Sequence, residues 1–369
     1  MMHTIPLMKP FITDEIKEKV LAVLDSGYLT EGPVTKEFET AFTTYIGCKE
    51  AIAISSCTTG LEVALRALGI GPGDEVIVPD YTYPATAAVV AIVGATCVIV
   101  DIDKQSMLID IAAIKNAITP KTKAIIPVSL FGNPLDYEAL NAIKKEHNLF
   151  LIEDAACTIG AEYNNTRVGT QADISVFSLH PRKFITTGEG GMITTNNPVW
   201  AEWMRSYKRF GISNRDSNRE QMMFDIIGTN YKLSNLASAI GVVQMKSIDT
   251  LLSKRRALAK QYDTLFTNNS RVMLPTVTKN AIHSYQSYCI FVPERDRIMQ
   301  TLRAEGIEVQ IGTYSLHMHN AFNNHPLIRI EGTMTQSLSA YHECLTLPLY
   351  HDMTITEQQT VVDAITRLL

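Results

Sequence analysis

The stretch LFLIEDAA, residues 149–156, is an almost continuously apolar segment that ends in two carboxylates. Such a segment is typical of a strand in a parallel sheet that is covered by helices on both faces. Neighbouring side chains of a strand point to opposite faces, so Glu153 and Asp154 do not share one role. One carboxylate is expected to cap a helix or form an ion pair, and the other to face a ligand beyond the strand. Spacing alone does not choose between them.

Similar segments alternate with helical patterns on both sides of this stretch. The apolar, β-rich segments are residues 51–55, 75–79, 96–101, 123–128, 149–153, 173–177 and 192–195. The helical patterns between them are residues 59–68, 85–93, 112–117 and 135–147. This alternation predicts an α/β fold with a mainly parallel, seven-stranded sheet between two layers of helices. In such folds, ligands bind beyond the carboxyl ends of the strands.

A long helical pattern over residues 234–266 follows the last predicted strand. We expect it to leave the large domain and lead into a smaller α+β domain near the C-terminus. The predicted division is a large domain of residues 1–245 and a small domain of residues 246–369. A chain of 369 residues, 46% of them apolar, is long enough for two such cores.

Composition argues against several classes of protein. The formal net charge is −5, from 33 Lys and Arg against 38 Asp and Glu, so no basic excess indicates a nucleic-acid partner. No apolar stretch reaches the roughly 20 residues of a membrane helix, and the first residues do not resemble a signal peptide. The six cysteines are scattered without a C-x-x-C pair, which indicates free thiols in a reducing cytoplasm and no metal site.

The stretch SSCTTG, residues 55–60, lies between a predicted strand and a predicted helix. Its small hydroxyl residues cap the helix, and the free N–H groups of a helix N-terminus also bind anions. An ordinary helix cap is the alternative interpretation. The sequence has no G-x-x-x-x-G-K-[ST] motif for a triphosphate, and no G-x-G-x-x-G motif follows a strand.

The stretch VFSLHPRKFITTGEGG, residues 176–191, runs from a predicted strand through Lys183 to a glycine-rich turn. A lysine in an apolar setting loses its proton readily, and a neutral amine attacks an aldehyde to form a Schiff base. The alternative is a solvated loop lysine, which is the commoner fate of this residue type. His180 is equally compatible with a structural role.

Seven short motifs occur together over nearly the whole chain. They are SGYLTEG (26–32), GIGPGDEVIVP (69–79), EDAA (153–156), the block 177–191, GTNYKL (228–233), GI (306–307) and LPLY (347–350). In this order and spacing they resemble the DegT-type nucleotide-sugar aminotransferases, a branch of the fold-type-I pyridoxal-phosphate (PLP) enzymes. The resemblance implies a PLP-dependent transferase fold of type I. It also implies that an amino group moves from an amino acid, expected to be L-glutamate, to a nucleotide-linked keto-sugar. A 4-keto-6-deoxy sugar is the family's commonest acceptor.

The resemblance also implies roles for individual residues. Lys183 would hold the cofactor, and Asp154 rather than Glu153 would pair with its pyridine nitrogen. The other cofactor contacts would come from Cys57 (through its backbone), Thr58, Tyr83 (stacking on the ring), Ser178 and Asn230. The segment of Asn230 would reach the phosphate of the neighbouring subunit, which implies a homodimer with shared active sites. Cys157 departs from the Gln or His that many relatives carry, so a side-chain contact from this position to the cofactor hydroxyl is in doubt.

Substrate contacts are less specific in the sequence. A nucleotide diphosphate needs cationic or N–H donors, and Arg182, Lys232, Tyr314 and His317 are the candidates, with an ordinary surface position as the alternative for each. Some members of the group replace the cofactor lysine by histidine and are sugar dehydratases. Because Lys183 is present, transamination is favoured over dehydration. A non-catalytic regulator is a further alternative, but no basic helix-turn-helix pattern occurs.

Overall fold

The computed structural model describes residues 4–213 and 218–369. The α-helices in this part of the chain are α1 (Asp14–Ser26), α2 (Pro33–Ile46), α3 (Cys57–Ala67), α4 (Ala85–Ile92), α5 (Ile111–Ala117), α6 (Tyr137–His147), α7 (Pro198–Tyr207), α8 (Asn235–Phe266), α9 (Arg295–Ala304), α10 (Asn320–Asn323), α11 (Thr335–Glu343) and α12 (Ile355–Leu368). The strands are β1 (Glu50–Ile54), β2 (Glu75–Pro79), β3 (Tyr81–Thr82), β4 (Thr96–Val100), β5 (Ile102–Asp103), β6 (Leu108–Ile109), β7 (Thr122–Ile125), β8 (Phe150–Asp154), β9 (Glu162–Tyr163), β10 (Thr166–Arg167), β11 (Ile174–Ser178), β12 (Gly191–Thr195), β13 (Ala281–Ile282), β14 (Tyr288–Phe291), β15 (Gln310–Ile311), β16 (Tyr314–Ser315), β17 (Ile328–Glu331) and β18 (Cys344–Leu347).

The central sheet has the strand order β1-β12-β11-β8-β7-β2-β4-β17. Its neighbouring strands are parallel except around β12, which runs antiparallel to both β1 and β11. The α/β prediction is confirmed, and each of the seven predicted strands is present. The eighth strand, β17, comes from the C-terminal part of the chain and pairs in parallel with β4 at the sheet edge.

The strands are buried on both faces because helices cover both sides of the sheet. In β4, Val98 and Val100 belong to one apolar core, whereas Cys97 and Ile99 belong to the core on the opposite face. All four side chains are fully buried. This two-sided burial is the physical reason that the strands are continuously apolar in sequence rather than alternating.

The first turn of α3 is fixed by its own sequence. Ser56 is the N-cap, and its hydroxyl accepts a hydrogen bond from the backbone N–H of Thr59. The Thr59 hydroxyl in turn accepts from the backbone N–H of Ser56, which completes a capping box. The helix therefore begins directly after β1, with its N-terminus at the carboxyl edge of the sheet.

A third apolar core lies in the C-terminal part of the chain. The end of α8 contributes Tyr262, the small sheet β14-β18-β15 contributes Ile290 and Leu345, and α12 contributes Val361. Helix α8 runs without interruption across residue 245, so the division into residues 1–245 and 246–369 stays a prediction.

A short antiparallel pair joins the two parts of the chain beside the central sheet. Strand β16 pairs with β3, which follows β2 immediately, so Tyr314 lies opposite Thr82.

No helix in the described ranges is long and apolar enough to cross a membrane. Within residues 4–213 and 218–369, no group of three or more His, Cys, Asp or Glu side chains is arranged to hold a metal ion.

Candidate active site

Asp154 ends β8 at the carboxyl edge of the sheet and is buried. Its carboxylate accepts hydrogen bonds from the Thr86 hydroxyl at 2.8 Å and from the Ala156 backbone N–H at 3.2 Å. Burial raises the pKa of the Asp154 carboxyl, while these hydrogen bonds and the nearby Lys183 oppose that shift. Asp154 is therefore a buried carboxylate with neighbours that favour its charged form.

Glu153 points to the opposite face of β8, where it makes a separate network. It accepts hydrogen bonds from the hydroxyls of Ser129, Tyr137 (2.6 Å) and Ser175 (3.0 Å). Burial raises the pKa of the Glu153 carboxyl, and the three hydroxyls oppose the shift. Glu153 is thus tied into the core by three hydroxyls, whereas Asp154 lies on the other face of β8 with Lys183 near it.

Lys183 lies in the irregular segment between β11 and β12, where its backbone N–H bonds to the His180 carbonyl at 2.8 Å. Its amine lies 3.1 Å from the sulfur of Cys157. Burial lowers the pKa of this amine, but the neighbouring Cys157, Cys57 and Asp154 groups outweigh burial and raise the pKa overall. The surroundings of this amine are therefore not purely apolar, because two thiols and a carboxylate lie near it.

The N-terminus of α3 offers free hydrogen-bond donors. In the described part of the chain, the backbone N–H groups of Cys57 and Thr58 have no acceptor. Ser178 lies beside them, because it pairs with Gly191, and a Cβ added at Gly191 would lie 2.6 Å from the Ser56 carbonyl carbon. This close approach brings the predicted phosphate contacts Cys57, Thr58 and Ser178 to one place, with free N–H groups that fit an anion.

The segment of Asn230 lies next to this helix N-terminus. The Ser55 backbone N–H bonds to the Tyr231 carbonyl at 2.9 Å. The Asn230 side chain is exposed, and its oxygen accepts a hydrogen bond from the Lys232 amine at 2.6 Å. A single chain therefore places Asn230 and Lys232 together near the predicted anion site.

Two exposed tyrosines lie near each other. Tyr83 is 65% exposed, and its ring centroid lies 6.2 Å from that of Tyr314. Arg182 is exposed beside Lys183, and its guanidinium donates to the side chain of Gln310 at 3.5 Å. The segment from Gln310 to Tyr314 therefore contacts both Arg182 and Tyr83, which are among the predicted site residues.

His317 is not the free surface residue that the sequence left possible. Its ring nitrogen Nδ1 lies 2.7 Å from the carboxylate of Asp80, and its backbone N–H donates to the same carboxylate at 2.7 Å. Asp80 is fully buried, directly after β2, and also accepts from the Ser337 hydroxyl. Sequence analysis missed Asp80 and Thr86, since each acts through a partner that is distant along the chain.

These groups fit the parts of pyridoxal phosphate. An amine at Lys183 suits the aldehyde, a buried carboxylate at Asp154 suits the ring nitrogen, and the free N–H groups of α3 suit the phosphate. All three lie at the carboxyl edge of the sheet, where α/β folds bind ligands. The fold and the site together define a PLP-dependent transferase of fold type I.

Comparison with known proteins defines the family. Residues 10–366 match the model of the DegT/DnrJ/EryC1/StrS aminotransferase family. The chain is 36% identical to GDP-perosamine synthase from Caulobacter vibrioides, over 99% of this chain and 98% of the relative. It is 32% identical to the spore coat polysaccharide biosynthesis protein SpsC from Bacillus subtilis, over 98% and 96% of the two chains.

A solved structure agrees with these relatives. The PLP form of the putative sugar aminotransferase Spr1654 from Streptococcus pneumoniae superposes with a TM-score of 0.91 and 30% identity, covering 99% of this chain and 98% of that chain. The protein belongs to the DegT/DnrJ/EryC1/StrS aminotransferase family and is a PLP-dependent sugar aminotransferase. The predicted class of enzyme and its cofactor are confirmed.

Proposed function

We propose that this enzyme transfers an amino group from L-glutamate to a nucleotide-linked 4-keto-6-deoxy sugar. The observation that carries the proposal is the meeting of the Lys183 amine and the buried Asp154 carboxylate at one edge of the sheet. A relative named GDP-perosamine synthase supports a nucleotide-linked sugar as the acceptor. The name of a second relative supports use of the product in polysaccharide biosynthesis.

Different residues of the site would bind different parts of the cofactor. Lys183 would bond to its aldehyde, Asp154 would keep its ring nitrogen protonated, and Tyr83 would stack on the ring. The backbone N–H groups of Cys57 and Thr58 would bind the phosphate, with Ser178 beside them. When bound, the cofactor carries the amino group between the two substrates and its ring accepts electron density.

Lys183 is proposed as the group that moves protons during the reaction. When it is not bonded to the cofactor, the amine of Lys183 would be free to accept a proton and return it. General acid–base help of this kind contributes about 10²–10⁴-fold to a rate. Because one site serves the amino donor and the keto-sugar in turn, we expect ping-pong kinetics.

Four residues are proposed to bind the nucleotide-sugar. Arg182 and Lys232 supply positive charge for the diphosphate in a chain whose net charge is −5. Tyr314 supplies an exposed aromatic ring. His317 contributes its second ring nitrogen, Nε2, because Asp80 occupies Nδ1.

We propose a homodimer in which the Asn230 segment completes the active site of the partner. Arg209 and Asn230 form an antiparallel bridge, and so do Ile212 and Phe224. Near these bridges Phe224 is 61% exposed and Ile227 is 97% exposed, close in sequence to Asn230. Exposed apolar side chains of this size indicate a surface that is covered by a partner, and a second copy of the chain would bring Asn230 with it.

The decisive test is a product assay. Purified enzyme is incubated with glutamate and a panel of uridine-, guanosine- and thymidine-linked 4-keto-6-deoxy sugars, and products are identified by mass spectrometry. We expect one aminated sugar to form with an equal amount of 2-oxoglutarate. A sugar that loses water without consumption of glutamate would instead support the dehydratase alternative. Failure to turn over any sugar while binding it would support the regulatory alternative.

The cytoplasmic location stays a prediction.

A further inference from the structure

Cys157 occupies a fixed position beside the amine of Lys183. It lies in the turn after β8, three residues beyond Asp154, and is half-buried. Its carbonyl accepts a hydrogen bond from the Ser284 hydroxyl at 3.2 Å, and the Ser284 backbone N–H bonds to the Gly132 carbonyl at 3.0 Å. The first bond ties the backbone of the turn to Ser284 in the C-terminal part of the chain, and the sulfur itself lies 3.1 Å from the Lys183 amine.

Of the two thiols in the site, Cys157 is the one that contacts the amine. In the described part of the chain, the Lys183 amine makes its hydrogen bond to the sulfur of Cys157 at 3.1 Å. The sulfur of Cys57 instead lies 3.5 Å from the Val176 carbonyl oxygen and 3.9 Å from the Asp154 carboxylate. The two thiols therefore have different partners.

A thiol next to an amine can share a proton with it. The proton sits either on sulfur, which gives a neutral pair, or on nitrogen, which gives a thiolate and an ammonium group. Moving between the two states transfers one proton from Sγ to Nζ and involves no oxidation. A hydroxyl in the same place would keep a hydrogen bond but would not ionise near neutral pH.

We propose that Cys157 is a positioning residue for Lys183. The thiol of Cys157 holds the Lys183 amine in place and shares a proton with it. The inference rests on the proposed role of Lys183 in the reaction. Burial lowers the pKa of the Lys183 amine, and Cys157 is the foremost of the groups that oppose burial and raise it. A change at Cys157 therefore alters the pH at which the amine can accept a proton.

The first test is the pH dependence of kcat/KM for the amino acceptor, because the form of the enzyme that meets the acceptor would carry the amino group on the cofactor and leave the Lys183 amine free to titrate. In Cys157→Ala and Cys157→Ser we expect the acid limb of the profile to move to lower pH by at least about half a unit, since the group that favours the ammonium is lost. In Cys48→Ser, a matched change at a distant thiol, the limb should stay in place. A purely structural role would lower kcat by the same factor at every pH and leave the limb unmoved, and that result would overturn the proposal.

The second test needs no turnover and uses the full-length protein freed of cofactor. Iodoacetamide labelling of Cys157 is followed by mass spectrometry in the wild type and in Lys183→Met, which removes the nitrogen and nearly keeps the volume. An adjacent cation favours the reactive thiolate by a factor of ten or more. We therefore expect labelling at pH 7 to be at least about threefold slower in Lys183→Met, with denatured protein as the reference for intrinsic reactivity. Equal or faster labelling would contradict the shared proton.

The two proposals fail in distinguishable ways. If Lys183→Met still transfers amino groups at the wild-type rate, the proposed function of Lys183 is wrong. If turnover requires Lys183 but the acid limb does not respond to Cys157, the proposed function stands and the positioning role of Cys157 is refuted.

Discussion

Replacing Thr86 by valine tests how the carboxylate of Asp154 is held. The Thr86 hydroxyl donates to this carboxylate at 2.8 Å, and both residues are buried. A hydrogen bond to a charged group contributes about 1.5–3 kcal/mol. Since about 1.4 kcal/mol corresponds to a factor of ten, Thr86→Val should lower kcat/KM by about 10–150-fold if the loss is felt in full at the transition state.

The chain supplies a matched control for this change. The hydroxyl of Thr82 also contacts that of Thr86, at 3.1 Å, but does not reach Asp154. Thr82→Val therefore removes the same hydroxyl–hydroxyl contact and leaves the carboxylate with its donor. Steady-state kinetics of both variants, with bound cofactor measured by its visible absorption, separate the two effects. If kcat/KM of Thr86→Val stays within twofold of the wild-type value, or if Thr82→Val loses as much, the Thr86 hydroxyl does not support Asp154 in the reaction.

Two further predictions concern stability. Tyr137→Phe removes one of three donors to the buried Glu153, so the free energy of unfolding should fall by about 1–3 kcal/mol while kcat stays unchanged; lost activity at an unchanged melting temperature would contradict the structural role. Burial lowers the pKa of His283 to about 3, with Arg256 adding to the shift. The unfolded chain thus binds more protons below about pH 6.5, and stability should fall from there towards pH 3 by up to about 1.4 kcal/mol per pH unit. Urea denaturation of His283→Gln should show a free energy of unfolding that depends less steeply on pH than in the wild type. A pH dependence as steep as in the wild type would exclude this residue as the cause.

The central strands could be predicted because a strand that is buried on both faces has an almost continuously apolar sequence. Strand β17 has no such sequence, since all four of its residues are at least partly exposed. Its partner β4 also lies far away in the chain. The seven predicted strands therefore all lie in the predicted large domain. The prediction missed β17, which the C-terminal part of the chain adds at the edge of the sheet.

The site was predictable only in part for a related reason. Motif order gave Lys183 and Asp154, but no local pattern marks their supporting groups. Thr86 is 68 residues from Asp154, and Asp80 is 237 residues from His317. The raised pKa of Lys183 likewise depends on sulfur atoms whose positions only the fold determines.

Lys183 is proposed to be the residue bonded to the cofactor, and borohydride reduction shows which lysine forms this bond. Reduction of the loaded enzyme fixes a lysine–cofactor bond permanently, and peptide mapping by mass spectrometry then locates it. We expect one modified residue, Lys183, and no modified lysine in Lys183→Met. A cofactor mass on another lysine such as Lys232, with residue 183 unmodified in the wild type, would show that the assignment of Lys183 is wrong.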